Sequence, residues 1–324
     1  MWGIRTLLRE ADEAVFPSNI YCLCCGSLID ESRPYSICDF CMEKIHWITG
    51  PTCARCGKAL PERISALEET GGAGCADDPA TGETFSARGE GVPAEAGRLC
   101  YDCLRIGHRF VRGFSCVTYG LHEREIMMEL KYSGMGYIAA KCGDMMFDRM
   151  EEEIRRGLFS PGQRPIDLVV SVPVSEERLR KRGYNQSAWM ARQLVRRWRE
   201  FVREERGSGF SPADRIADGH CTPVVQNGTR RFPDAEGVTK CSAPVLTDAA
   251  VHRVPTWMDV LERAKATKML RSLSPAERAL ELRDAFCVRP SCRGRLDGRR
   301  VLLIDDIYTT GATADACSQV LLGG

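Results

Sequence analysis

The 324-residue sequence has little net charge, few aromatic side chains and no long apolar run. Its formal net charge of +1 excludes a protein that binds polyanions through bulk charge alone. No apolar segment approaches the roughly 20 residues of a membrane-spanning helix, so we expect no membrane insertion. Residues 1–17 place apolar and charged side chains at the spacing of an amphipathic helix, which differs from the pattern of a signal peptide. We therefore expect a cytoplasmic protein.

Cysteine, in contrast, is abundant, with 17 residues in the chain. Disulfides do not persist in a reducing cytoplasm, so the cysteines call for another explanation. Eight of them form Cys-x-x-Cys pairs, and two such pairs can complete one tetrahedral four-sulfur zinc site. Interleaved ligands, a single occupied site or redox-active thiols are the alternatives. Pairing in sequence order predicts two structural Zn²⁺ sites, formed by Cys22, Cys25, Cys38 and Cys41 and by Cys53, Cys56, Cys100 and Cys103.

The other cysteines and the histidines near the pairs have simpler interpretations. Cys116, Cys142, Cys287 and Cys317 lie in apolar contexts and are predicted to be small core residues. His46 and His108 are close enough to the pairs to replace a cysteine ligand. With eight cysteines available, we favour ordinary surface histidines instead.

The composition and periodicity of the sequence change along the chain. Residues 18–109 contain all the Cys-x-x-Cys pairs and are predicted to form a double zinc ribbon, with a flexible insertion at about 61–97 that is rich in Gly, Ala, Glu and Thr. From residue 110 the pattern is that of an α/β domain. It has a strand at 113–119, a buried strand at 166–172 and an amphipathic helix centred on Trp198. A second insertion is predicted at about 205–256.

The last segment of the chain carries the most specific pattern. An apolar run at residues 301–304 reads as a buried parallel strand and delivers Asp305 and Asp306 at its carboxyl end, where open α/β sheets bind ligands. Paired carboxylates can accept hydrogen bonds from the two hydroxyls of a ribose. The small residues at 309–313 then lead into a helix, whose free N–H groups favour a phosphate, and Gly311 permits a close approach.

This segment has three other interpretations. A signalling receiver domain also begins with apolar residues and an Asp pair, but it needs roughly a hundred further residues. A nucleotide-binding P-loop is excluded because no Gly-Lys-Ser/Thr follows. An ordinary strand, turn and helix without a ligand is the remaining alternative.

Residues 301–313 resemble the phosphoribosyl-pyrophosphate (PRPP) loop of type I phosphoribosyltransferases. Together with the cysteine pairs, they make the chain similar to the ComF/GntX family, whose members join a double zinc ribbon to such a domain. The resemblance implies a parallel α/β sheet flanked by helices over residues 110–324. Further blocks that match the family lie at residues 119–134, 170–174, 178–186, 263–267 and 278–286.

The resemblance also implies a set of site residues. Asp305 and Asp306 would grip the ribose during catalysis, and Mg²⁺ would bind together with PRPP. Asn185 and Gln186 are explained equally well by helix capping and by ligand contact. The 5′-phosphate would be bound by Tyr308, Thr309, Thr310, Gly311, Ala312 and Thr313. The pyrophosphate would be bound by the turn at Pro173 and Val174 and by Arg180, Lys181 and Arg182, and Lys131 is a weaker candidate for the same role. The ordinary interpretation of residues 178–182 is a solvated basic loop.

Two functions follow from the resemblance. The first is a PRPP-binding protein of the ComF type, associated with DNA uptake in competence, which is a pentosyltransferase if it is active. The second is a non-enzymatic factor that handles single-stranded DNA beside the competence helicase machinery and retains a vestigial or regulatory PRPP site. Family members continue past the last helix into another strand, so we expect this chain to lack the last strand of its domain. The acceptor substrate and the oligomeric state are left open.

Overall fold

The computed structural model describes residues 20–30, 32–61, 75–77, 84–86, 98–132, 136–155, 166–207, 253–265 and 275–323. The predicted helix at residues 1–17 lies outside these ranges, as do most residues of the two predicted insertions. None of the helices in these ranges combines the length and the apolar composition that a membrane span requires.

The elements alternate between short helices, longer helices and short strands. The α-helices are α1 (Asp39–Lys44), α2 (Tyr101–Arg105), α3 (Leu121–Tyr132), α4 (Gly136–Arg155), α5 (Glu176–Arg182), α6 (Gln186–Gly207), α7 (Pro275–Leu282) and α8 (Ala312–Gly323). The strands are β1 (Cys75–Asp77), β2 (Thr84–Ser86), β3 (Leu168–Ser171), β4 (Thr256–Met258), β5 (Leu261–Arg263), β6 (Phe286–Val288) and β7 (Val301–Ile304). In the part of the chain that the structure describes, Pro34–Ser36 and Pro290–Cys292 form 3₁₀ turns.

A parallel sheet lies at the centre of the fold, with β3 between β4 and β7. The register of β3 on β7 runs from Leu168 opposite Val301 to Ser171 opposite Ile304. Every residue of β3 is buried, as expected for a parallel strand covered on both faces. Strands β5 and β6 form a separate antiparallel pair, and so do β1 and β2 within the first predicted insertion. The predicted α/β class with a parallel sheet and flanking helices is confirmed.

Helix α6 packs along helix α4 and covers one face of the sheet. Asn185 precedes α6 and caps it, because its side-chain oxygen accepts from the backbone N–H of Ala188 at 3.3 Å. Trp198 is only 1% exposed and meets Phe147 of α4 edge to face. The predicted amphipathic helix centred on Trp198 is therefore confirmed.

Two local predictions are wrong. Residues 113–119 do not form a strand and contribute only a single bridge, between Trp47 and Val117. Their backbone instead bonds to the residues that follow α1, as in the 2.8 Å bond from Thr118 N to His46 O. The basic segment that was expected to be a loop is helix α5, because Ser175 caps its start and Gly183, at φ +80°, ends it.

Candidate ligand and metal sites

The structure brings the eight paired cysteines together in two groups of four. The first cluster is Cys22, Cys25, Cys38 and Cys41, and the second is Cys53, Cys56, Cys100 and Cys103. Within each cluster the four sulfur atoms all lie within 4.8 Å of one another. The grouping follows the order of the sequence, so the interleaved alternative is wrong.

Both clusters fit a zinc ion. Four sulfurs at about 2.3 Å from a tetrahedral zinc lie about 3.8 Å apart. The Sγ atoms of Cys25 and Cys38 are 3.7 Å apart, and those of Cys56 and Cys100 are 3.6 Å apart. Backbone N–H groups point at the sulfurs, as in the bond from Cys100 N to the Sγ of Cys53 at 3.2 Å. Such donors favour the thiolate form that zinc requires, so both clusters support structural zinc.

Asp305 and Asp306 follow β7 directly, at the carboxyl end of the parallel sheet. The backbone N–H of Asp306 donates to the Oδ1 of Asp305 at 2.9 Å. The Oδ2 of Asp306 forms an ion pair with Lys131 Nζ at 3.2 Å and accepts a hydrogen bond from Gln186 Nε2 at 3.2 Å. Asp306 is thus held by one residue from the end of α3 and one from the start of α6.

The two carboxyl groups have opposite pKa shifts. Burial and the adjacent Asp306 raise the pKa of Asp305 well above its ordinary value. Burial acts in the same direction on Asp306, but the Lys131 ammonium and the Gln186 amide outweigh it and lower the pKa of Asp306. The pair therefore holds one carboxylate that is firmly ionised and one that binds a proton readily. Both side chains remain partly exposed, so a ligand can reach them.

The loop after the aspartates leads into helix α8. Gly311 has φ +83° and its carbonyl accepts the first helical bond, from Asp315 N at 2.8 Å. A Cβ at Gly311 would lie 2.6 Å from the Tyr308 hydroxyl and 2.7 Å from His108 Cε1, so only glycine fits there. The first turn of α8 therefore follows Thr309 and Thr310 closely in the chain, and its first N–H groups have no partner within the helix.

Several buried polar atoms near the acidic pair have no hydrogen-bond partner within the described residues. They are the Ser171 Oγ at the end of β3, the Gln186 Oε1 and the Thr310 Oγ1. Buried polar atoms normally have a partner, because leaving one unpaired costs roughly 1–3 kcal/mol. All three belong to segments that border the aspartates, and this suits a polar ligand.

The residues predicted to hold pyrophosphate are arranged differently from the prediction. Pro173 and Val174 do follow β3, but proline has no N–H, so Val174 is the donor of the two. Arg180, Lys181 and Arg182 lie on the short helix α5, and Arg180 is exposed and pairs only loosely with Glu176, at 4.0 Å. The role of the basic residues remains a prediction. Lys131 is bonded to Asp306 rather than standing free for a phosphate.

His108 is not a surface residue, so that interpretation is wrong. Its side chain is 0% exposed and its Nδ1 lies 2.6 Å from the Oδ2 of Asp315, in the first turn of α8. The backbone N–H of Arg109 donates to the other oxygen of Asp315 at 2.8 Å. The sequence offered no sign of this contact, because its partners are 207 residues apart and neither belongs to a recognisable motif. For Gln186, the sequence leaves helix capping and ligand contact open and does not indicate its bond to Asp306.

Comparisons with known proteins agree with the cysteine module. The double zinc ribbon domain family matches residues 12–77. Competence protein F of Haemophilus influenzae is 35% identical over 68 residues, which cover 21% of this chain and 29% of that protein. DNA utilization protein YhgH of Escherichia coli K12 is 24% identical over 233 residues, which cover 72% of this chain and 75% of that protein. The chain thus matches less than a third of competence protein F. No solved structure matches it.

The fold and the sites together define a class: a mixed α/β protein with a parallel sheet, flanking helices and an N-terminal module with two four-cysteine sites. The zinc ribbon match and the two relatives support the assignment of the chain to the ComF family, as the sequence resemblance implied.

Proposed function

We propose that the chain binds PRPP at the carboxyl ends of β3 and β7. The observation that carries this proposal is the acidic pair itself. Asp305 and Asp306 lie side by side at the end of a parallel strand, partly exposed and directly before a glycine loop and a helix start. Carboxylates that accept hydrogen bonds from ribose hydroxyls and free N–H groups that donate to a phosphate are then close to one another in the chain.

Each part of the site has a separate task in this proposal. Asp305 and Asp306 accept hydrogen bonds from the ribose hydroxyls and hold the sugar in place. The backbone at 309–313 surrounds the 5′-phosphate, and the Thr310 hydroxyl, which has no partner among the described residues, donates to it. Lys131 keeps Asp306 ionised beside its acidic neighbour rather than contacting the leaving group.

The pyrophosphate would lie over the turn that follows β3. In this proposal the N–H of Val174 donates to it, and the guanidinium groups of α5, which match phosphate geometry, bind it as well. Mg²⁺ bound with PRPP would supply charge for the leaving pyrophosphate, usually with several waters and few protein ligands. If an acceptor binds, the chain's contribution is to fix the ribose and to stabilise the departing charge, which is the basis of phosphoribosyl transfer.

The relatives suggest the biological setting. One is named as a competence protein and the other as a DNA utilization protein. We infer a role of the ComF type in competence for this chain, with PRPP as the ligand of the α/β domain.

Calorimetric titration with PRPP and Mg²⁺ tests the proposal. Wild-type protein should bind, and Asp305→Asn/Asp306→Asn should weaken binding at least tenfold, because each charge-assisted hydrogen bond contributes roughly 1.5–3 kcal/mol. Asp259→Asn is the matched control, since Asp259 is an exposed carboxylate that pairs with Arg289. Equal affinity of the double variant and wild type would contradict the assignment of the acidic pair.

A second candidate function is supported by aromatic side chains that the sequence did not reveal as a group. Tyr132 is 61% exposed and the Arg182 guanidinium lies 5.8 Å from its ring centre. Trp189, one turn into α6, is 43% exposed. Aromatic and guanidinium groups together are what sequence-independent binding of single-stranded DNA uses. This candidate is a DNA-handling factor whose PRPP site is vestigial or regulatory.

Binding of an oligothymidylate at several salt concentrations separates the two candidates. A DNA-handling factor should lose affinity steeply as salt rises and should weaken further in Tyr132→Ala/Trp189→Ala, by roughly 1–3 kcal/mol for each stacked base. Tyr21→Ala, which removes an exposed tyrosine from the first ribbon, is the control. Absent binding, or binding that does not respond to salt, would remove this candidate.

A further inference from the structure

The second cysteine cluster packs directly against the loop that follows β7. Tyr308 and Phe110 contact the buried group of Cys53, Cys56 and Cys103. Phe110 meets the Tyr308 ring edge to face, with 6.3 Å between the ring centres. The first residue of the candidate phosphate loop is therefore part of the apolar surroundings of the second cluster.

A chain of polar contacts joins the same cluster to helix α8. Arg55, inside the third Cys-x-x-Cys pair, donates through its guanidinium to the carbonyls of His108 and Val111, at 3.3 and 3.2 Å. His108 and the backbone N–H of Arg109 then bind the two oxygens of Asp315. Arg55 is thus connected to Asp315, in the first turn of α8, through two successive hydrogen bonds by way of His108.

Gly311, in the loop before α8, lies close to both Tyr308 and His108. A Cβ at Gly311 would lie 2.6 Å from the Tyr308 hydroxyl and 2.7 Å from His108 Cε1. Any displacement of the segment that carries His108 therefore changes the space available to the loop backbone. His108 itself is fixed by stacking on Phe110, with ring centres 4.7 Å apart.

We infer that zinc at the second cluster and a phosphorylated ribose at the loop bind with positive coupling, and that His108 is the positioning residue that connects them. This inference rests on the proposed function. The physical reason is that the ordered second ribbon holds His108 and Tyr308, and these two side chains confine Gly311 and Asp315. A ligand that needs the loop in this conformation will bind more tightly when the ribbon is folded, and by reciprocity it will hold the zinc more firmly.

Zinc release measures the coupling without any assay of catalysis. The zinc-loaded full-length chain is mixed with a chromophoric chelator, with and without PRPP and Mg²⁺, and release is followed over time. Two phases are expected from two sites. PRPP should slow only one of them, by about tenfold, within the usual range of coupling between sites.

Variants of His108 identify the connection. His108→Phe keeps a ring against Phe110 but removes the bond to Asp315, and it should weaken PRPP binding and abolish the protection of zinc. His108→Asn places an amide near the position of Nδ1 and should restore both. The matched control is His46→Phe, because His46 forms a similar pair with Glu123 at 3.2 Å, on helix α3 rather than α8. It should leave PRPP binding and zinc release as in wild type.

The outcomes distinguish this inference from the function on which it rests. If wild type binds PRPP but PRPP changes neither phase of zinc release, the coupling is absent while the binding proposal stands. If wild type does not bind PRPP at all, both fall. If His108→Phe loses its folded state, which its melting temperature reports, Asp315→Ala replaces it. That variant removes both oxygens that His108 and the Arg109 N–H contact, and unchanged zinc protection in it would overturn the role of the His108 contact.

Discussion

The first cysteine cluster packs against helix α4, whereas the second packs against the loop after β7. Tyr35 of the first ribbon donates its hydroxyl to Asp148 on α4, and its ring contacts Trp47. Tyr308 and Phe110 play the corresponding part for the second cluster. Two sites that each have four cysteine ligands therefore have different neighbours. The first cluster lies where the ribbon packs against helix α4, and the second borders the candidate ligand loop.

Removing one ligand from each cluster is the strongest way to break this comparison. Cys56→Ser and Cys25→Ser should each reduce the metal content from about two zinc ions per chain to about one. Only Cys56→Ser should also weaken PRPP binding, by about tenfold, because only the second cluster borders the loop and the coupling between the two sites is reciprocal. Metal analysis and calorimetry on the same samples check both statements. Equal loss of PRPP binding in the two variants would remove the difference between the clusters.

The glycines that follow the first and the third Cys-x-x-Cys pairs give a smaller but well-matched contrast. Gly26 and Gly57 both have positive φ, at +69° and +72°. A Cβ at Gly26 meets nothing within 4 Å, while one at Gly57 would lie 2.3 Å from the Gly113 carbonyl oxygen. Gly26→Ala should cost roughly 1–2 kcal/mol in the free energy of unfolding, from left-handed strain alone. Gly57→Ala should cost about 1–3 kcal/mol more through overpacking. Denaturant titration of both variants measures the difference, and equal costs would contradict the close approach.

The contact of the first ribbon with α4 should depend on pH. Burial raises the pKa of Asp148 from 3.8 to about 6. A carboxyl whose pKa is raised by folding is protonated more readily in the folded chain, so its contribution to stability falls as the pH rises from about 4 to about 6 and stays constant above. The change is on the order of 2–3 kcal/mol. Asp148→Asn should remove this pH dependence. The free energy of unfolding of wild type and variant, measured across this pH range, checks it, and the same dependence on pH in both would contradict the raised pKa.

Removing the Tyr35 hydroxyl should have the smallest effect. Tyr35→Phe leaves the ring in place but takes the hydrogen bond from Asp148, which should cost about 1–2 kcal/mol. Tyr308→Phe is the matched change at the second ribbon. We expect Tyr35→Phe to change stability without changing PRPP affinity, and Tyr308→Phe to change affinity as well. Chemical denaturation and calorimetry separate these effects, and a loss of affinity in Tyr35→Phe would count against the comparison.

The sequence predicted the parts of the molecule that are encoded locally. The cysteine spacing gave both clusters, and the apolar run before Asp305 gave strand β7 and the position of the acidic pair at its end. Helix α5 was missed, although Ser175 and Gly183 are ordinary start and stop signals. The strong positive charge between them suggested a loop and obscured those signals.

The contacts that position the site could not be predicted, because they join residues far apart in sequence. Lys131 and Gln186 reach Asp306 from two different helices, and His108 reaches Asp315 across the interface between ribbon and domain. No periodicity or spacing records such a pair, and a lone histidine or aspartate has many ordinary explanations. Their roles depend on how the helices pack on the sheet, which only the folded chain shows.

Hydrogen–deuterium exchange of the zinc-loaded chain, with and without PRPP and Mg²⁺, tests the central claim most directly. The account predicts slower exchange in peptides that cover residues 305–318 and in those that cover residues 172–186, with the peptides of the first ribbon unchanged. Protection confined to other parts of the chain, or none at ligand concentrations that saturate binding, would contradict it.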